Sequence, residues 1–179
     1  MQIACNPHLY SEKAIQDNLF ATLSELLKQI LFESKAVIYA HHNITLEGLM
    51  DRLDEFAPAL VYGGKRRSNI RNDKDVQRFL TNPDCQILLA HPLSAGVGLN
   101  FQSVSNYVIF YEPTPIHGQF SQAMDRVFRS GQRKAVVVYI LKLLGTVYPS
   151  MLSSMLDSSD KAGLINCDKS TFSEWVFGA

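Results

Sequence analysis

The chain has 179 residues and 46% of them are hydrophobic, which suits one domain with a sizeable core and argues against disorder. Its 17 basic and 17 acidic residues give no net charge, which argues against a protein that coats nucleic acid by bulk charge but allows a local basic patch. Three cysteines without metal-like spacing (Cys5, Cys85 and Cys167) suit a reducing, cytoplasmic compartment. No secretory signal and no apolar run of about 20 residues is present, so we expect no membrane partner.

Apolar runs and helical patterns alternate along the chain. Strands are predicted at residues 36–40, 59–62, 86–90, 107–111 and 135–141. Helices are predicted at residues 12–33, around 73–80, around the arginines of residues 122–132, and at 148–156. Another helix is predicted after the first strand, with Asn43 or Thr45 as its N-cap and Leu53 near its end. A domain is expected over residues 1–157, followed by a polar, loosely attached extension over 158–179.

Strands that are apolar throughout and separated by helices predict an α/β fold with a mostly parallel sheet and helices on both faces. In such sheets, ligands bind beyond the carboxyl ends of the strands. Three segments that are candidates for ligand binding lie at such predicted strand ends: His41-His42, residues 94–100, and the loop before the arginine segment. We therefore expect the functional site at this edge.

The arginine segment, residues 122–132, is predicted to be a short amphipathic helix. One side of it would carry Phe120, Ala123, Met124, Val127 and Phe128, and the other Gln122, Asp125, Arg126 and Arg129. Gly131 would end the helix in the left-handed conformation. Two arginines on one rigid face predict a phosphate-binding device, because guanidinium groups match phosphate oxygens bidentately. The alternative is a surface helix with solvated arginines.

Motifs for binding a whole nucleotide or a metal are incomplete. Gly96 and Gly98 follow a strand, but Phe101 replaces the third glycine of a dinucleotide fingerprint. A phosphate-binding loop at Gly64-Lys65 fails because Arg66 stands where a magnesium-binding hydroxyl is needed. The acidic pair Asp54-Glu55 is predicted to be a solvated helix end, and no histidine or cysteine spacing predicts a metal site.

A basic loop, residues 65–71, lies between the second predicted strand and the next helix. The loop and the helix start together carry Lys65, Arg66, Arg67, Arg71 and Lys74. This loop suits contact with a nucleic-acid backbone. The alternative is a solvated run of charges.

The order of these segments resembles the second RecA-like lobe of superfamily 2 helicases, in the Swi/Snf-type branch of DNA-dependent ATPases. Residues 37–40 resemble motif IV of that family, residues 94–102 motif V, and residues 122–132 motif VI. The likeness spans roughly residues 12–156, and residues 91–96 and Gln102 are similar to phage and bacterial versions. Phe128 departs from the family, which usually has histidine there.

The resemblance implies a RecA-like three-layer sandwich and a role in ATP-driven DNA translocation. By analogy, Arg126 and Arg129 are arginine fingers for ATP, Gln122 helps to position the nucleotide, and Gly96, Gly98 and Asn100 couple nucleotide state to DNA. The implied DNA contacts are His41, Lys65, Arg66, Arg67 and Ser94.

ATP and its magnesium would be held mainly by a first lobe, whose motifs this chain lacks. The resemblance therefore implies a piece of a longer bacterial or phage protein, with the first lobe and DNA as partners and no hydrolysis by this chain alone. The rival hypothesis is a stand-alone module that binds nucleic acid or protein and never supports hydrolysis. A third hypothesis, a Rossmann-type enzyme, is weakened by the incomplete glycine fingerprint.

Overall fold

The computed structural model describes residues 18–63, 69–94, 100–112, 114 and 116–142. The helices are α1 (Asn18–Ile30), α2 (Asn43–Arg52), α3 (Asn69–Thr81) and α4 (His117–Met124), with a 3-10 turn at Asp54–Phe56. The strands are β1 (Lys35–Tyr39), β2 (Ala59–Val61), β3 (Ile87–Ala90), β4 (Ser105–Phe110) and β5 (Val137–Ile140). The predicted strands are confirmed, and their ends differ from the observed ones by at most two residues. The predicted helix at 148–156 and the boundary after residue 157 lie outside the described residues.

The five strands form one parallel sheet in the order β2-β3-β1-β4-β5. At its centre, Val37 of β1 is aligned with Leu88 of β3 and with Val108 of β4. The predicted parallel sheet is therefore confirmed, and the carboxyl ends of its strands lie along one edge.

Alternate strand residues pack on opposite faces of the sheet, because successive side chains of a strand point in opposite directions. On one face, Ala36 and Ile38 join the core formed with Leu23 and Leu27 of α1 and with α2. On the other face, Val37 and Tyr39 pack in a core that includes residues of α3 and α4. The structure thus confirms helices on both faces and the three-layer arrangement.

Two predicted helix starts are wrong. Helix α2 begins at Asn43, and its N-cap is His42. The His42 side chain accepts no capping hydrogen bond from the first turn of the helix. Helix α3 begins at Asn69, so Arg71 is helical and does not belong to the loop, whereas Lys74 is helical as predicted. Asn72 in the first turn of α3 is buried and its Nδ2 donates to Tyr62 O at 3.0 Å, which fixes this helix against the end of β2.

Candidate functional site

At the carboxyl edge of the sheet, the segments that follow four of the strands come together. His42 follows β1, Gly63 follows β2, His91 follows β3 and Glu112 follows β4. His41, His42, Asn43, Gly63, His91, Leu93 and Ser94 line a cavity of about 390 Å³ at this edge. The sequence-based placement of His41 and Ser94 at one edge is therefore matched by the geometry.

Three histidines cluster in this cavity. The ring centroid of His41 lies 5.1 Å from that of His42 and 5.4 Å from that of His91. Burial lowers the pKa of His41, and the neighbouring His42 adds to that effect, while Glu112 opposes it. Burial also lowers the pKa of His91, whose Nδ1 accepts a hydrogen bond from the Leu93 amide at 3.1 Å. Burial therefore favours the neutral form of the His41 and His91 imidazoles.

Glu112 is the residue of this edge that sequence reasoning missed. Its side chain is fully buried, and its two carboxyl oxygens accept hydrogen bonds from the His42 amide at 2.8 Å and from Thr45 Oγ1 at 2.7 Å. Glu112 thus places an acceptor at the start of α2, where unpaired amides and the helix dipole favour negative charge. The sequence offered one signal, an acidic residue directly after an apolar strand.

Ser94 binds the backbone at the end of the neighbouring strand β2. Its Oγ accepts a hydrogen bond from the Gly63 amide at 2.6 Å. A Cβ at position 63 would lie 3.2 Å from that oxygen, so glycine permits the close approach of the two segments. Of the other predicted site residues, Lys65, Arg66, Arg67, Gly96 and Gly98 lie outside the described residues.

The predicted arginine helix is wrong in its extent. Helix α4 ends at Met124, and residues 125–131 form turns and bends, with Gly131 at φ 99°. Phe128, predicted on the buried side, is 69% exposed, because the chain leaves the helical path before it reaches that position. Phe120, Ala123 and Val127 are buried as predicted.

The arginines consequently differ in their surroundings. Arg126 is half-buried, and its charge opposes the rise in pKa that burial causes in the Tyr39 hydroxyl. Arg129 is exposed and its Nη1 donates to Asn100 Oδ1. Gln122 is exposed on α4, so it has no part in the core. The segment therefore presents two guanidinium groups from turns, and they do not share a helix face.

The guanidinium groups of Arg126 and Arg129 are suited to binding phosphate and not to binding a metal ion. A guanidinium is a permanent cation with several donors that match phosphate oxygens. Among the described residues, no group of three or more histidines, cysteines and acidic residues could hold a metal ion. Asp54 and Glu55 are exposed on the 3-10 turn, as predicted for a solvated helix end. Nor is any described helix long and apolar enough to cross a membrane.

Residues 18–131 match the family model of the helicase conserved C-terminal domain. The chain belongs to that family. The "DNA excision repair protein ERCC-6-like" of Bos taurus is 31% identical over 127 residues, covering 70% of this chain and 10% of the relative. The "Chromatin-remodeling ATPase INO80" of Candida glabrata is 32% identical over 145 residues, covering 79% of this chain and 9% of the relative. The chain thus spans about a tenth of the length of these relatives.

Two solved structures show the same fold. The C-terminal part of the Fun30 ATPase domain has a TM-score of 0.69 at 20% identity, over 82% of this chain and 47% of that structure. The SWI2/SNF2 ATPase core of Sulfolobus solfataricus in complex with dsDNA has a TM-score of 0.67 at 24% identity, over 89% and 34%. The expected RecA-like α/β lobe is therefore confirmed, whereas the mammalian and yeast relatives give no support to a phage or bacterial origin.

Proposed function

We propose that this chain is the second motor lobe of a Swi/Snf-type, ATP-dependent DNA translocase or helicase. Arg126 and Arg129 would supply positive charge to ATP whose magnesium and remaining phosphate contacts belong to a first lobe, with Gln122 beside the nucleotide. The observation that carries this proposal is that a lobe of the helicase family presents two arginines from one surface segment.

The chemical role proposed for the arginines is to meet negative charge that develops on the transferred phosphoryl group. Such a finger is worth about 10³–10⁵ in rate in other phosphoryl-transfer systems. The chain alone would then bind nucleotide weakly and hydrolyse none. Nucleotide binding by Gly96 and Gly98 belongs to the same proposal.

The DNA contact is proposed at the carboxyl edge of the sheet. The cavity beside His41 and Ser94 faces the same edge as the end of β2, from which the chain continues to Lys65, Arg66 and Arg67. Histidines, hydroxyls and basic side chains contact phosphates without reading sequence. Removing one lysine or arginine contact to a phosphate would reduce the magnitude of the slope of log affinity against log salt by about 0.9.

The test is DNA-stimulated ATP hydrolysis by the complete two-lobed protein with Arg126→Ala or Arg129→Ala. We expect each change to reduce kcat at least a thousandfold, the lower end of the range of about 10³–10⁵ for such fingers, with an unchanged circular-dichroism melting curve. Arg133→Ala is the matched control, because Arg133 is an exposed arginine of the next turn and has no proposed role. Near-normal turnover by both variants would refute the finger assignment. Absence of DNA-stimulated hydrolysis by the parent protein would favour the rival hypothesis, a binding module that never supports hydrolysis.

A further inference from the structure

The arginine turn, residues 125–131, is not held by regular helical hydrogen bonds. After α4 ends, the Phe128 amide donates to Met124 O at 2.8 Å, but the Arg129 amide donates to Val127 O at 3.1 Å, so the helical hydrogen-bond pattern breaks between them. An arginine that stabilises a transition state acts best when its position is set before the reaction. Another part of the lobe must therefore hold Arg129.

The backbone of the arginine turn is tied to residue 101. The Phe101 amide donates to Arg126 O at 2.9 Å. Phe101 is fully buried, and its ring centroid lies 5.8 Å from that of Phe79 in an edge-to-face pair with α3. The core of the lobe therefore fixes the backbone position of Arg126.

The side chain of Arg129 is held by the residue next to this anchor. Its Nη1 donates to the side-chain oxygen of Asn100, which directly precedes Phe101. One amide oxygen occupies one of the five guanidinium donors, so the others stay available to a phosphate. A neutral acceptor also leaves the full positive charge of the guanidinium in place.

We propose that Asn100 is a positioning residue that orients Arg129 toward the transferred phosphate. This inference rests on the proposed function, because it takes Arg129 as a finger. In this role, the side chain of Asn100 links the guanidinium group to the buried, fixed segment at Phe101.

The experiment measures the steady-state kinetics of DNA-stimulated ATP hydrolysis by the complete protein. Asn100→Ala is expected to lower kcat about tenfold, the equivalent of one hydrogen bond, while KM for ATP and the DNA concentration for half-maximal stimulation stay within twofold. Asn100→Asp keeps the acceptor but partly neutralises the guanidinium, so its kcat should lie between those of the parent and Asn100→Ala. Ser103→Ala, at an exposed position of the following turn, is the control and should match the parent.

The kinetic outcomes separate this inference from the proposed function. If Arg129→Ala retains turnover, the finger assignment fails. If Arg129→Ala is inactive but Asn100→Ala keeps the parent kcat, only the positioning role of Asn100 is overturned. A higher DNA requirement with unchanged kcat would also overturn that role, since Asn100 would then act on the DNA side.

A direct measurement on the 179-residue chain uses nuclear magnetic relaxation of the Arg129 Nε–Hε group. Asn100→Ala should lower the order parameter of this group, whereas Ser103→Ala should leave it unchanged. Equal order in the parent and in Asn100→Ala would overturn the proposal even if kcat fell.

Discussion

Replacing Glu112 tests whether its buried carboxyl group holds the carboxyl edge of the sheet together. Glu112→Ala removes the acceptor of two hydrogen bonds, one from the His42 amide at 2.8 Å and one from Thr45 Oγ1 at 2.7 Å. A donor that loses its acceptor in a buried site costs about 1–3 kcal/mol. The cost of losing the Thr45 bond should lie in the upper part of that range, because Thr45 is fully buried. The cost of losing the His42 bond should lie in the lower part, because His42 is only half-buried. We therefore expect Glu112→Ala to lower the free energy of unfolding by about 3 kcal/mol.

The assay is urea unfolding of the 179-residue chain, followed by circular dichroism. With an m-value of about 2 kcal/mol/M, the unfolding midpoint should fall by about 1.5 M at unchanged slope. Glu55→Ala removes an exposed glutamate and should change stability by less than about 0.5 kcal/mol.

A double-mutant cycle isolates the contact between Thr45 and Glu112. Thr45→Val removes the hydroxyl but keeps the shape, and in the Glu112→Ala background it should cost at least about 1 kcal/mol less than in the parent. Additive effects, or a Glu112→Ala midpoint equal to that of Glu55→Ala, would refute the proposed anchoring.

Three further predictions concern stability. Gly131→Ala should destabilise the chain by about 1–2 kcal/mol in the same urea assay, because φ is 99°. Gly118→Ala in α4 should stabilise it by up to about 1 kcal/mol, since the added Cβ would meet no described residue outside the helix backbone within 4 Å. Phe101→Ala should lower the free energy of unfolding by about 3–5 kcal/mol, and Phe128→Ala by less than about 0.5 kcal/mol, because the Phe101 ring is buried and the Phe128 ring is exposed. Equal losses would contradict the observed end of α4. Burial lowers the pKa of His41 below its ordinary value of 6.5, so His41 is protonated in the unfolded chain before it is protonated in the folded chain as pH falls. The free energy of unfolding should therefore decrease below pH 6.5 and level off beneath the lowered pKa. His41→Gln should weaken that dependence in urea unfolding curves at pH 8, 6.5 and 5.

The sheet could be predicted from sequence because its strands are apolar on both faces. Ile38 and Val37 are neighbours in sequence, yet both are fully buried, each on a different face. Such continuous apolar runs occur where helices cover both sides of a parallel sheet. The half-buried β5 was also found, since its residues are β-branched or aromatic even at the end of the sheet order.

The ends of the helices could not be predicted in the same way. The apolar spacing from Phe120 to Phe128 continues at a helical period, although the helix ends at Met124. A tertiary contact, the hydrogen bond from the Phe101 amide to Arg126 O, competes with the next helical hydrogen bonds. The start of α2 was misplaced for a related reason, because the acceptor at its first turn comes from Glu112, about 70 residues away. Local patterns carry no information about partners so distant in sequence.

Both errors involve hydrogen bonds at the ends of β4. Glu112 ties β4 to the start of α2 beside the histidine cavity, and residues 100–101, which precede β4, tie the lobe to the arginine turn. β4 therefore connects a proposed DNA-contacting region with a proposed phosphate-contacting region through hydrogen bonds at its two ends. Under the proposed function, a strand with such ties at both ends would link the segment that contacts ATP to the segment that contacts DNA. If that is how the lobe works, Glu112→Ala in the complete protein should weaken DNA stimulation of ATP hydrolysis while sparing the basal rate, and equal loss of both rates would instead mean that Glu112 serves stability alone.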